Sequence, residues 1–287
     1  LLLGKSLNIC EKKLSFLEKL SKIWVANNTL LCVGLDPDIS RIPVHLSKTE
    51  NPLFEFCKEI VDSTADLVCA FKPQIAYFSA QSAENQLEML TNYIQCNYPH
   101  IPIILDAKRG DIGVTADQYA IEAFQRYQAD AVTINPYMGY DAAEPFLKHS
   151  DKGVILLCRT SNPSAADIQD LLIGDAPLYQ HIAKLAMTKW NGNNNCLLVM
   201  GATWPKQMEE VREIVGDMPF LVPGVGAQGA DIEALIKAGQ TKNGAGLIIN
   251  SSRAVIYADS SADFANSARH IAKDLRDTIN QYRNSKN

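Results

Sequence analysis

Residues 103–115 read Ile103-Ile104-Leu105-Asp106-Ala107-Lys108-Arg109-Gly110-Asp111-Ile112-Gly113-Val114-Thr115. Three apolar residues open the stretch, and Asp106, Lys108 and Asp111 follow within six positions. An apolar run without alternation suits a strand covered on both faces. Side chains two apart on a strand share a face, so Asp106 and Lys108 are expected side by side at the strand's end. A lysine between two carboxylates is pushed toward its charged form, because neighbouring anions raise its pKa. Such a group is a poor amine nucleophile and a usable proton donor. The plain alternative is a solvated charge run after a strand, since structural ion pairs also shift pKa values.

The same pattern recurs on both sides of this stretch. Apolar runs at 30–35, 69–71, 101–106, 131–134, 153–158, 196–200, 219–222 and 246–249 read as strands. Helical spacing covers 11–26, 52–67, 79–96, 114–127, 177–190, 205–215, 230–238 and 262–283, and a long polar loop spans 159–174. Eight strands alternating with helices predict an α/β fold, a (β/α)₈ TIM barrel, rather than an open doubly wound sheet. The segment 11–26 is an extra N-terminal helix, expected on the barrel floor. No linker or composition shift divides the chain, so residues 1–287 are expected to form a single domain.

Composition narrows the function. The chain has 287 residues, 47% of them hydrophobic, enough for one large core. Its net charge of −5 comes with no basic block, so no nucleic-acid partner is expected. No apolar run approaches the length of a membrane span, and LLLGKSLNIC is too short for a signal-peptide core. The seven cysteines are scattered and lack metal-ligand spacing. They read as buried thiols of a reducing compartment, and a cytoplasmic protein is expected. The five histidines show no metal-ligand spacing either, and no metal site is expected.

In such barrels chemistry sits at the carboxyl ends of the strands. Those ends supply Asp36, Lys72, the trio Asp106, Lys108 and Asp111, then Asn135, then Arg159-Thr160-Ser161. The seventh runs into Pro223-Gly224-Val225-Gly226-Ala227-Gln228-Gly229 and the eighth into Asn250-Ser251-Ser252-Arg253. A glycine-rich turn at Gly224 and Gly226 offers backbone N–H groups to an anion. Arg253 can fork onto the same group, which suggests a phosphate site. A tight turn before a helix remains the bland reading of the glycines.

Taken together, Asp106-Ala107-Lys108-Arg109-Gly110-Asp111-Ile112-Gly113 with Thr115, Leu31 to Asp38, Phe71-Lys72-Pro73, the glycine-rich turn and Asn250 to Arg253 resemble the orotidine 5′-phosphate decarboxylase family, in its second bacterial type. The likeness spans about residues 14 to 284. It implies decarboxylation of orotidine 5′-monophosphate to uridine 5′-monophosphate, the last step of de novo pyrimidine biosynthesis, without a cofactor. It implies that Lys108 protonates C6 of the pyrimidine, that Asp106 faces the substrate carboxylate, and that Asp36 and Lys72 hold the ribose hydroxyls. Ser161 would read the base, Gln228 would bridge base and phosphate, and Arg253 would bind the phosphate. Asp111 and Thr115 would enter the neighbouring subunit's site, making a homodimer with shared active sites. Two rivals are a magnesium-dependent sugar-phosphate decarboxylase of the same superfamily and a catalytically silent nucleotide-binding barrel. The first needs a carboxylate where this chain has Lys72, a cation that would repel Mg²⁺.

Overall fold

The computed structural model describes residues 14–225 and 231–283. Eight parallel strands make one sheet: β1 (Leu31–Leu35), β2 (Ala70–Pro73), β3 (Ile104–Arg109), β4 (Ala131–Ile134), β5 (Gly153–Arg159), β6 (Cys196–Met200), β7 (Phe220–Pro223) and β8 (Leu247–Ser251). Their hydrogen-bonded order is β2-β1-β8-β7-β6-β5-β4-β3. The ring closes between β2 and β3 through two isolated bridges, Phe71 with Ile103 and Gln74 with Asp106. Two prolines account for this thin seam. Pro73 ends β2 and Pro102 precedes β3, and neither has an N–H to donate. The result is the expected α/β barrel, with helices between the strands.

β1, β2, β4, β6 and β8 are buried along their whole length, which is why their sequences do not alternate. The N-terminal helix runs Phe16–Ala26 and starts on a capping box, Ser15 with Glu18. It lies against the amino ends of β4 and β5. Phe16 N donates to Asp151 O at 2.9 Å, and Lys19 Nζ pairs with Asp130 Oδ1 at 2.8 Å. Gly153 is needed there, because a Cβ would collide with the Phe16 ring. The helix therefore covers the floor, as expected, opposite the charged strand ends.

Several boundaries differ from the sequence reading. The third strand, expected at 101–106, begins after Pro102 and runs on to Arg109, so Lys108 belongs to it. The loop 159–174 is partly ordered into a 3₁₀ turn (Pro163–Ala165), a short helix (Ala166–Gln169) and a two-residue ribbon pairing Leu172–Ile173 with Ala176–Pro177. A helix at Tyr140–Leu147 was not foreseen, since Pro145 sits inside it and masks its pattern. Six described cysteines are free, and Cys96, expected to be buried, is exposed. Among the described residues no helix is long and apolar enough to cross a membrane.

Candidate active site

A cavity of about 820 Å³ opens at the carboxyl ends of the strands. Lys72, Asp106, Lys108 and Thr133 form its charged side, and Ser161 and Asn135 lie on its wall. Leu157, Val199 and Leu221 supply an apolar side, and Tyr137 and Ile168 stand at the edge.

The charged side is organised by a bulge. β3 pairs Leu105 with Val132 and Arg109 with Ile134, so Asp106, Ala107 and Lys108 stand opposite Thr133 alone. Lys108 takes φ +47°, a left-handed conformation that L-residues rarely adopt. The sequence reading placed Asp106 and Lys108 on one face by simple alternation. They do meet, but the bulge makes the contact: Lys108 Nζ donates to Asp106 Oδ1 at 2.6 Å. Lys72 Nζ donates to the other oxygen, Oδ2, at 2.8 Å. Thr133 Oγ1 also donates to Oδ1 at 2.9 Å. Lys72 is buried whereas the Lys108 side chain is 47% exposed, so of these two lysines Lys108 is the more open to the cavity.

Charge states follow from this packing. Burial alone would push the Asp106 carboxyl up, but Lys72 and Lys108 outweigh it and hold the group well below the usual carboxylate range. Burial would pull the Lys72 ammonium down, but Asp106 and then Asp36 outweigh it and hold it above the usual lysine value. Asp106 and Lys72 therefore stabilise one another as ions.

Asp36 adjoins this row electrostatically. Its Oδ2 accepts from Ser252 Oγ at 2.6 Å, while Oδ1 is buried with no hydrogen-bond partner among the described residues. Tyr257 fixes the same turn, donating to Asp36 O at 2.9 Å and accepting from Asp38 N at 2.7 Å. Gly34 makes room for this arrangement, since a Cβ there would come within 2.7 Å of the Ser252 Cβ. Ser161 is held against the end of β6, where Gly201 leaves space for its backbone.

Asp111 stands apart from the charged row within this chain. It makes no ion pair with Lys108; its Oδ1 accepts the N–H of Ile112 at 2.8 Å. The chain has left the strand by Gly110, so Asp111 no longer follows the strand's geometry. Thr115 is exposed on the first turn of the helix Gly113–Ile121. Arg253 is exposed at the start of a short helix, Arg253–Ile256. Gly224 takes φ +104°, which a side chain would disfavour, as the chain leaves β7. Gly226 and Gln228 lie outside the described residues.

Three contributors were given no role in the sequence reading. Thr133 could have been noticed as the one hydroxyl inside the apolar run of the fourth strand. Ser252 and Tyr257 had no such signal, because their partner Asp36 lies more than 200 positions away. Among the described residues no group of three or more His, Cys, Asp and Glu side chains could hold a metal ion.

Residues 29–268 match the Orotidine 5′-phosphate decarboxylase / HUMPS family. A relative from Janthinobacterium sp. (strain Marseille), named orotidine 5′-phosphate decarboxylase, is 57% identical over 269 residues, covering 94% of this chain and 99% of the relative. Among solved structures, Leishmania donovani OMP decarboxylase superimposes with a TM-score of 0.83 and 38% identity, covering 95% of this chain and 100% of the other. Leishmania donovani UMP synthase does so with a TM-score of 0.85 and 39% identity, covering 96% of this chain; this chain spans only 57% of that longer one. With a family match across most of its length and close relatives over nearly all of it, the chain belongs to the orotidine 5′-phosphate decarboxylase / HUMPS family.

Proposed function

We propose that this protein decarboxylates orotidine 5′-monophosphate to uridine 5′-monophosphate, the last step of de novo pyrimidine biosynthesis, and does so without a cofactor. The observation that carries this reading is the row Lys72–Asp106–Lys108 beside the cavity, with alternating charge and contacts of 2.8 and 2.6 Å. Relatives 57% and 60% identical are named orotidine 5′-phosphate decarboxylase, which agrees with it. The buried Lys72 favours it over a magnesium-dependent sugar-phosphate reaction, because an ammonium at that place opposes a divalent cation.

The row suits the chemistry. When the bond from C6 to the carboxylate breaks, its electron pair stays on C6 and carbon dioxide departs. Asp106, held ionised, repels the substrate carboxylate and is relieved as it leaves. The Lys108 ammonium stabilises the developing anion and transfers a proton from Nζ to C6. Its half-exposed side chain can then regain a proton from solvent. The unpartnered Oδ1 of Asp36 can accept from a ribose hydroxyl, with Lys72 alongside it. Ser161 would read the base. Gly224, Gly226, Gln228 and Arg253 would hold the phosphate, whose binding energy keeps the reacting carbon in place.

We assign the working unit as a homodimer in which Asp111 and Thr115 complete the partner's site. Supporting this, Ile112 and Val114 beside them are exposed apolar residues, and so are Tyr137, Met138 and Tyr140 on the segment that follows β4. The free cysteines support a cytoplasmic location and the continuous barrel a single domain. The test is an absorbance assay for loss of orotidine 5′-monophosphate, run before and after exhaustive EDTA treatment. Turnover that survives chelation is expected. Tight binding of uridine 5′-monophosphate with no carbon dioxide release would instead favour a silent nucleotide-binding barrel.

A further inference from the structure

We propose that Thr133 is a positioning residue for the Asp106–Lys108 pair, acting through its hydroxyl; this deepens the decarboxylase reading and rests on it. Thr133 is 1% exposed on β4 and faces the bulge of β3. A threonine hydroxyl has one donor and two acceptor lone pairs. Here all three are used. Oγ1 accepts the N–H of Ala107 at 3.0 Å and the N–H of Lys108 at 3.0 Å. It donates to Asp106 Oδ1 at 2.9 Å, the oxygen that also receives Lys108 Nζ.

The consequence is geometric. In a regular parallel strand those two consecutive N–H groups would point to opposite neighbouring strands, each meeting a backbone carbonyl. The bulge removes those partners, and one side-chain oxygen replaces both. Lys108 sits at φ +47°. Such a conformation in a non-glycine residue persists where its surroundings impose it. Asn135 N closes the far side of the bulge by donating to Arg109 O at 2.7 Å, and Thr133 closes the near side. Thr133 is β-branched and stiff at χ1, so the oxygen is placed before any ligand arrives. One hydroxyl thus sets both the backbone that aims the ammonium and the orientation of the carboxylate it pairs with.

The experiment compares wild type, Thr133→Val and Thr133→Ser. Valine keeps the shape and removes the oxygen, and serine keeps the oxygen. Thr133→Val is expected to lose about 10- to 100-fold in kcat, the effect of leaving buried polar groups unpaired next to the reacting centre. Binding of uridine 5′-monophosphate should stay within about threefold of wild type, because no contact to the nucleotide is assigned to Thr133. Thr133→Ser should recover most of the lost turnover. A crystal structure of Thr133→Val should show Lys108 leaving its left-handed conformation and its contact with Asp106. Wild-type turnover in Thr133→Val overturns the proposal, and so does an equal loss in Thr133→Ser. Should the valine variant not fold, Thr133→Cys replaces it, and wild-type turnover there overturns the proposal equally. If wild type itself releases no carbon dioxide, the decarboxylase reading falls. The crystal comparison still decides whether the hydroxyl sets the geometry, and an unmoved Lys108 in the valine variant sinks that claim alone.

Discussion

Lys72 and Asp106 form a buried ion pair, 2.8 Å apart, across the seam where β2 and β3 share only isolated bridges. The pair therefore does two things. It reinforces the thin seam of the ring, and it presets the charge of the row. Replacing Lys72 by Met leaves a buried carboxylate with one cation fewer. Breaking a buried pair in this way costs about 3–5 kcal/mol. Urea unfolding of Lys72→Met should show a loss of that order, and decarboxylation should fall by about 10²–10³-fold.

The same pair sets a pH window for stability. Asp106 titrates below its ordinary value of 3.8 in the folded protein, so its contribution is present above that value and is lost as pH falls. Lys72 titrates above its ordinary 10.5, so its contribution is present below that value and is lost as pH rises. The stability gap between wild type and Lys72→Met/Asp106→Asn should be constant from about pH 5 to pH 9 and change outside it. A gap that slopes through neutral pH would show that other groups dominate.

Lys108 carries the chemical step in the proposed reaction, and no contact that holds the nucleotide is assigned to it. Lys108→Ala should therefore bind uridine 5′-monophosphate with near-native affinity while losing several powers of ten in turnover. Isothermal titration and the absorbance assay separate the two quantities. Near-native turnover in the purified variant would remove Lys108 from the role of proton donor.

The fold was legible because the barrel strands open as apolar runs, and five of them, Leu31–Leu35 and Cys196–Met200 included, are buried along their whole length. The charged row was legible because its members end successive strands. What could not be read was the backbone between them. A bulge is a mismatch between two strands, here three residues facing Thr133, and neither strand encodes it alone. Within one chain Asp111 stands away from Lys108 for the same reason, since alternation holds only while the chain remains in the strand. The Asp36–Ser252 contact joins the first strand end to the last and has no local signature.

A shared site makes a prediction about mixtures. If Asp111 of one subunit completes the site that holds Lys108 of the other, Lys108→Ala and Asp111→Ala are each inactive alone. After subunit exchange, half the dimers are mixed and each has one intact site of two. The mixture should then recover about a quarter of wild-type activity. No recovery, with exchange verified by native mass spectrometry, would place Asp111 in its own subunit's site or outside both.

Asp36 has one hydrogen-bonded oxygen and one without a partner among the described residues, and Ser252 supplies the bond at 2.6 Å. Removing that hydroxyl frees the carboxylate to rotate away from the Lys72 ammonium it helps to hold charged. Ser252→Ala should therefore weaken nucleotide binding, by about tenfold for the loss of one charge-assisted hydrogen bond. The effect should appear in KM and in the affinity for uridine 5′-monophosphate more than in kcat, because Asp36 touches the sugar in the proposed complex and not the reacting carbon. A fall confined to kcat would instead mean that Asp36 acts on the chemical step through Lys72.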